Sequence, residues 1–284
     1  MFALREIGLV ALREVRRNLR SKKGVAMSLL FLTGGAIPTM IQLFFRKLQT
    51  DAGGASLTLN GPEDPTRPMR RMMLARAYSE EIADYLVDCP TVLLFLLKGT
   101  LFFLPLLILL IGFDQIAGEV QHRSLRYVAG RAHRTSIVVG KAAGTWVVVA
   151  SMALILHATV WIAMIARSEA PAGDVLSWGG RLWLFCVAQG VAYVGLTTLV
   201  SSFFRTPTLA LFTGLGMMVA LSITNFILGL IEATKMLTWA FPGTYEDLLI
   251  SPDPLVVARG IGLFVLWGGV CVALASAITS RRDV

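Results

Sequence analysis

Two apolar runs of membrane-crossing length, roughly residues 91–113 and 142–166, enclose a basic stretch from Asp114 to Lys141. Inside lipid, backbone polar groups must be satisfied within their own segment, so runs of about 20 apolar residues cross as helices. The enclosed stretch must therefore emerge into water. Its five Lys/Arg (Arg123, Arg126, Arg131, Arg134 and Lys141) place that water on the cytoplasmic side. Composition points the same way, because 55% hydrophobic and 15% charged residues are too apolar for a soluble domain of this length. The net charge of +8 does not point to nucleic acid, since basic residues beside spans are what topology demands.

The expected fold is an all-α polytopic membrane protein, with six transmembrane helices and an N-terminal amphipathic interfacial helix. Residues 1–23 form that basic element: Leu4, Ile7, Gly8, Ala11, Leu12, Val15 and Leu19 share one helical face, and Arg5, Arg13, Arg16, Arg17 and Arg20 gather opposite. Such a helix lies in the headgroup layer with its arginines toward anionic lipid; the plainer reading is a basic tail that only sets topology. Arginine among the first twenty residues argues against a cleavable signal peptide. The first span is expected near 24–45, interrupted by Gly34, Gly35 and Pro38, and 46–88 is expected as an extracytoplasmic loop. The second half of that loop, 69–88, has the pattern of one surface helix with Met72, Met73, Ile82, Tyr85 and Leu86 on one side.

Further spans are expected near 91–113, 142–166, 182–204, 208–231 and 260–277. Lys98 lies inside the second, where snorkelling to the headgroups is favoured over a substrate or proton role. Gly140 and Gly144 form a small-xxx-small pair suited to tight helix packing. Trp178 and Trp183 are placed as interfacial anchors around a short outer loop. Only Arg205-Thr206-Pro207 separates the fourth and fifth spans, which forces an antiparallel hairpin. Residues 232–259 are too broken to span, yet apolar enough to re-enter the outer leaflet. With six spans the termini share a side. Fifteen of the 26 Lys/Arg then lie on the side of the basic stretch and ten opposite, with Lys98 in the membrane. The expected localisation is the cytoplasmic (inner) membrane, with both termini cytoplasmic.

Signatures of catalysis are missing. The nearest approach to a phosphate-binding loop, Gly140-Lys141-Ala142, has Thr135 where the first glycine belongs and lacks the hydroxyl that reaches magnesium. The three histidines (His122, His133, His157) and three cysteines (Cys89, Cys186, Cys271) show no metal or disulfide spacing, so no cofactor is expected in this chain. The cysteines read as buried small hydrophobes, and His157 as a hydrogen-bonding partner of a neighbouring helix. Polar residues within the spans are mild. They bond adjacent helices, or together line a path for an amphipathic substrate, for which Gln42, Gln189, Tyr193, Thr224 and Asn225 are the candidates.

The run Ala117-Gly118-Glu119, then Arg123-Ser124-Leu125-Arg126-Tyr127, then Arg134 through Gly140-Lys141 resembles the signature of ABC-2 type transporter permeases. That signature has Gly-Glu, three variable residues, Gly-Thr-Leu, a proline-containing turn, Arg-Ser and an aliphatic run ending in Gly-Lys. This chain keeps Gly118, Glu119, Leu125, Arg134, Gly140 and Lys141, allowing a one-residue gap. It departs in having Arg123 for glycine, Ser124 for threonine and no proline in the turn. The basic first helix, the six spans and the broken segment before the last also look like that family. The resemblance implies a permease that pairs with a second copy or a sister chain and with two separate ATPase subunits, which bind the ATP and magnesium. It implies that 114–141 carries a coupling helix seated in an ATPase cleft, with Glu119, Arg123, Arg126, Tyr127, Arg131 and Arg134 at the interface. Arginines on a short helix suit that task through charge-assisted bonds to acidic groups or exposed carbonyls. The partners expected are therefore an ABC ATPase, a second permease and membrane lipid, with no nucleic acid. Two other readings stand beside it: a scaffold that anchors a cytosolic ATPase without transport, and a membrane-embedded lipid-modifying enzyme.

Overall fold

The apolar runs fold as helices, and no strand forms among the described residues. The computed structural model describes residues 2–51, 67–124, 127 and 132–282. In chain order the helices are α1 (Phe2–Arg20), α2 (Lys22–Asp51), α3 (Arg67–Ala77), α4 (Glu80–Leu86), α5 (Thr91–Gly112), α6 (Ala117–Gln121), α7 (Arg134–Ala166), α8 (Ala172–Phe203), α9 (Pro207–Leu230), α10 (Glu246–Leu249) and α11 (Pro254–Arg281). Two 3-10 segments, Glu232–Ala240 and Pro242–Tyr245, lie between α9 and α10. Five stretches among the described residues are long and apolar enough to cross a membrane: Thr91–Gln121, Arg134–Ala166, Ala172–Phe203, Pro207–Leu230 and Pro254–Arg281. α2, where the first span is expected, is a continuous helix of 30 residues but stands outside those five.

Helix boundaries depart from the apolar runs. α7 begins at Arg134 rather than near 142, α8 at Ala172 behind Pro171 rather than near 182, and α11 at Pro254 rather than 260. Hydrogen bonding along a helix does not stop where hydrophobicity does, and proline at a first turn loses no intrahelical bond. Asp253 caps α11, its Oδ1 accepting from the Leu255 amide at 2.8 Å. Most of the expected outer loop at 167–180 is therefore the first turns of α8. The single surface helix expected at 69–88 is two helices, α3 and α4. They part at Ser79, whose Oγ accepts from the Ile82 amide at 3.4 Å. Met72 and Met73 stay exposed while Leu86 is buried. Arg67 pairs with Asp88 at 2.6 Å, and Arg71 binds both oxygens of Asp84, holding that carboxyl below its ordinary value. Both pairs are exposed and contribute little stability.

α8 is the axis of the bundle, with 78% of its most apolar window buried, against 6% for α9. Its closest neighbour is α11. A Cβ on Gly195 would stand 2.5 Å from the Gly268 carbonyl oxygen, and one on Gly268 2.5 Å from that of Val191. The two backbones touch because neither glycine has a side chain. Around that seam Phe185, Leu93, Leu104, Ile108 and Phe264 are fully enclosed. Trp146 donates to the Val187 carbonyl at 3.1 Å and Trp183 to that of Ala150 at 3.3 Å, so α7 and α8 exchange indole bonds in both directions. Trp178 packs on Tyr85 at 4.7 Å between ring centroids. All three cysteines are buried free thiols. His157 meets the neighbouring α8 through Nε2 and the Cys186 sulfur at 4.0 Å, and its Nδ1 lies 2.8 Å from the Ala153 carbonyl of its own helix.

The α8–α11 seam makes a direct prediction. Gly268→Ala should destabilise the bundle by about 1–3 kcal/mol through overpacking, seen as a lower melting temperature in detergent. Gly269→Ala, where a Cβ meets nothing within 4 Å, should melt like the parent.

Candidate functional site

The basic stretch after α5 turns back beneath the bundle, and α8 clasps the turn. Ser201 Oγ accepts from the amides of Ile116 and Ala117, both at 3.1 Å, and donates to the Phe113 carbonyl at 2.8 Å. Gln115 is wholly buried; its Nε2 donates to Thr198 Oγ1 at 2.7 Å, and its Oε1 accepts from Thr145 at 3.2 Å. The short α6 that follows is thereby tied to α7 and α8 before it reaches water.

A buried charge cluster completes the attachment. Lys141 of α7, only 3% exposed, places Nζ 2.8 Å from Glu119 of α6, 3.4 Å from Glu14 of α1 and 2.8 Å from the Gln115 carbonyl. Arg17 pairs with Glu14 at 2.6 Å and reaches Glu119 at 3.9 Å. Two acids and two bases balance, as buried ions must. α1 can approach because its partner strip on α7 is glycine. A Cβ on Gly140 would stand 2.7 Å from Val10 Cβ, and one on Gly144 2.7 Å from the Ala11 carbonyl oxygen. The tight packing expected at this pair is thus with α1. The packed strip of α1 is Ile7, Val10, Ala11, Glu14 and Asn18, leaving Leu4, Leu12 and Leu19 exposed on its flank.

Other cations lock the same end of the molecule. Lys23 at the start of α2 donates to Asp114 at 2.7 Å and to the Ile111 carbonyl at 3.1 Å, and sits 4.0 Å above the Phe113 ring. Arg134 Nη1 donates to the carbonyls of Arg282 at 2.6 Å, Ser280 at 3.0 Å and Thr279 at 3.4 Å, capping the negative end of α11. Arg282 in turn donates to the Phe203 and Phe204 carbonyls at the end of α8.

The expected docking residues therefore separate. Glu119 and Arg134 are engaged inside the protein, Glu119 because it neutralises Lys141 and half-buried Arg134 because it closes a helix end. Arg123 and Tyr127 are exposed, Tyr127 to 82%, beside exposed Gln121 and His122. Arg126 and Arg131 lie outside the described residues. Arg123 has φ 55°, the left-handed region that favours glycine. This is the position where the resembling signature carries glycine, so the departure keeps the turn and adds a cation at its tip. Of the expected pathway residues, Gln42 is in α2 with its side chain outside the described set. Gln189 is buried and donates to Glu246 at 2.8 Å, with half-buried Tyr193 one turn further along α8. Asn225 accepts from Thr244 at 3.0 Å, whereas Thr224 is exposed on α9. Sequence reasoning missed Glu14, Gln115 and Glu246. Glu14 had a legible signal, a lone acid on a strip otherwise made of Ile7, Val10 and Ala11.

Removing Lys141 strands two acids. Lys141→Met should cost about 3–5 kcal/mol, and Glu119→Gln added to it should restore much of the loss. Melting temperatures of the two single variants and the double variant check this; simple additivity would refute the coupling.

Among curated proteins no sequence matches this chain. A family model described as ABC-2 family transporter protein matches residues 9–276, nearly the whole length and including Glu14, Glu119 and Lys141, so the chain belongs to the ABC-2 transporter family of membrane proteins.

Proposed function

We propose that this chain is the permease subunit of an ABC exporter, moving an amphipathic substrate with energy from ATP hydrolysed by separate ATPase subunits that hold the nucleotide and magnesium. The observation that carries the reading is the mechanical one. Exposed Gln121, His122, Arg123 and Tyr127 follow a turn bolted to α1, α7 and α8 through Ser201, Gln115 and the Lys141 cluster. A push on the tip from a partner is delivered to spans rather than absorbed by a loose loop. Arg123 and Tyr127 are the docking groups: a guanidinium for the partner's acids or carbonyls, and an aromatic ring for an apolar pocket.

In this reading α2 is a sixth crossing, since 30 helical residues reach about 45 Å and the hydrocarbon core is about 30 Å thick. Both termini and the charge cluster face the cytoplasm. α1 lies along the inner headgroup layer, with Leu4, Leu12 and Leu19 toward acyl chains and Arg5, Arg16 and Arg20 toward phosphates. A second permease copy, or a sister chain, covers part of α9. Support for that comes from its low burial and its exposed Ser222 and Thr224, polar groups better placed against protein than lipid.

Co-purification with an ATPase, followed by substrate-stimulated hydrolysis in vesicles, tests the proposal. Arg123→Glu should lower stimulated hydrolysis about tenfold or more, equivalent to about 1.4 kcal/mol of lost docking, while the permease alone melts unchanged. Arg134→Glu should instead lower the melting temperature, because it sets a negative charge against the carbonyl end of α11. Full coupling in Arg123→Glu and Tyr127→Ala would dismiss the tip as the docking point.

A further inference from the structure

The segment between α9 and α11 runs down the flank of α8. Ser251 meets α8 at Arg181, whose Nη2 donates to the Ser251 carbonyl at 2.5 Å. Glu246 meets it at Gln189, eight residues or about 12 Å further along the helix axis. The Ala240 carbonyl accepts from Trp267 in the middle of α11 at 3.1 Å, so the segment reaches well into the bundle from its outer end.

At the Glu246 contact the hydrogen bonding is incomplete. Gln189 is 1% exposed, and while its Nε2 donates to Glu246, its Oε1 has no partner among the described residues. Turning the amide over only moves the deficit to the nitrogen. A buried carbonyl oxygen without a donor costs about 1–3 kcal/mol, and here it stands beside one carboxylate with a second, exposed Asp247, next in the chain. Burial pushes both carboxyls above their ordinary values, and Lys98 of α5 works against that rise. It forms no ion pair with either within 4 Å among the described residues, its Nζ lying 4.6 Å above the Tyr78 ring. The site therefore sets two carboxyls against one distant cation, with an unfilled acceptor between helices and the exposed Asp247 at its edge. A groove of about 400 Å³ between α3 and α5 has Met69, Met73, Leu74, Leu94 and Phe95 as its apolar lining, with Arg70, Thr91 and Lys98 also in its wall.

We propose that Glu246, Asp247 and Gln189 form a recognition site for a primary ammonium group on an amphiphile whose chain lies in the α3–α5 groove. The ammonium places one N–H on Glu246, one on Gln189 Oε1 and one toward Asp247, the three donors such a group carries. Lys98 is the competing cation built into the fold. This deepens the permease reading, and rests on it only for calling the ligand a substrate; binding itself needs no ATPase.

The test is calorimetric titration of the purified permease, in nonionic detergent, with dodecylammonium, dodecyltrimethylammonium and dodecyl phosphate. Dodecylammonium should bind saturably, one per chain. The trimethyl analogue, which has no N–H for Gln189, should bind several-fold more weakly. Glu246→Gln, which keeps an acceptor for Gln189 Nε2, should weaken dodecylammonium about tenfold or more, Gln189→Leu should weaken it as well, and Lys98→Gln should tighten it. Unchanged binding in Glu246→Gln, loss of binding in Lys98→Gln, or preference for dodecyl phosphate would each overturn the site. Those outcomes leave the ATPase experiment above untouched, so the two proposals fail separately.

Discussion

A lysine buried at the foot of a membrane bundle has to be neutralised, and the way Lys141 is neutralised organises everything around it. The ammonium cannot leave water without anions, and the groups that supply them, Glu14 and Glu119, come from α1 and α6. Three elements far apart in the chain are therefore drawn to one point. Glycines at 140 and 144 remove the bulk that would keep α1 at a distance. Ion pairing and close packing serve the same attachment, and neither is complete without the other.

The consequence is mechanical. A turn carrying five basic residues would be a poor transmitter of force if it hung free between two spans. Here its first half has its amides held by Ser201 and its one buried amide side chain held by Thr198 and Thr145. Its far end is Arg134, which grips the end of α11, while Arg282 grips the end of α8. Carbonyl ends of helices, cations and backbone turns form one layer on which the bundle stands. Arg123 faces outward, in a left-handed turn that a side chain occupies at some strain.

The opposite end is organised by different physics. There α8 and α11 meet backbone to backbone, indoles of α7 and α8 bond to each other's carbonyls, and the 232–253 segment inserts along α8. The insertion brings Glu246 and Asp247 close to Gln189 and within the field of Lys98. Sequence alone placed these residues in one outer segment and two spans with no reason to associate them. Snorkelling is the ordinary account of a lone lysine near a span end. Two carboxylates delivered from a segment some 150 residues away give Lys98 a partner field that no local pattern encodes.

What the sequence determined by itself was the class of molecule. Hydrophobic runs must be helical in lipid, basic residues mark the cytoplasmic side, and the Gly-Glu and Gly-Lys pairs flank a stretch that resembles ABC-2 permeases. Those features follow from local composition and spacing, and a one-dimensional reading has access to them. It could see that Gly140 and Gly144 wanted a close neighbour, but not that the neighbour was α1. It could see arginines in the basic stretch, but not that Arg134 closes a helix end while Arg123 is exposed. Helix ends were misjudged for a related reason, since apolarity reports where lipid begins and hydrogen bonding decides where a helix does. The tertiary structure alone decided which charges are internal and which are offered outward. That choice depends on burial, and burial is a property of what lies beside a residue in space rather than along the chain.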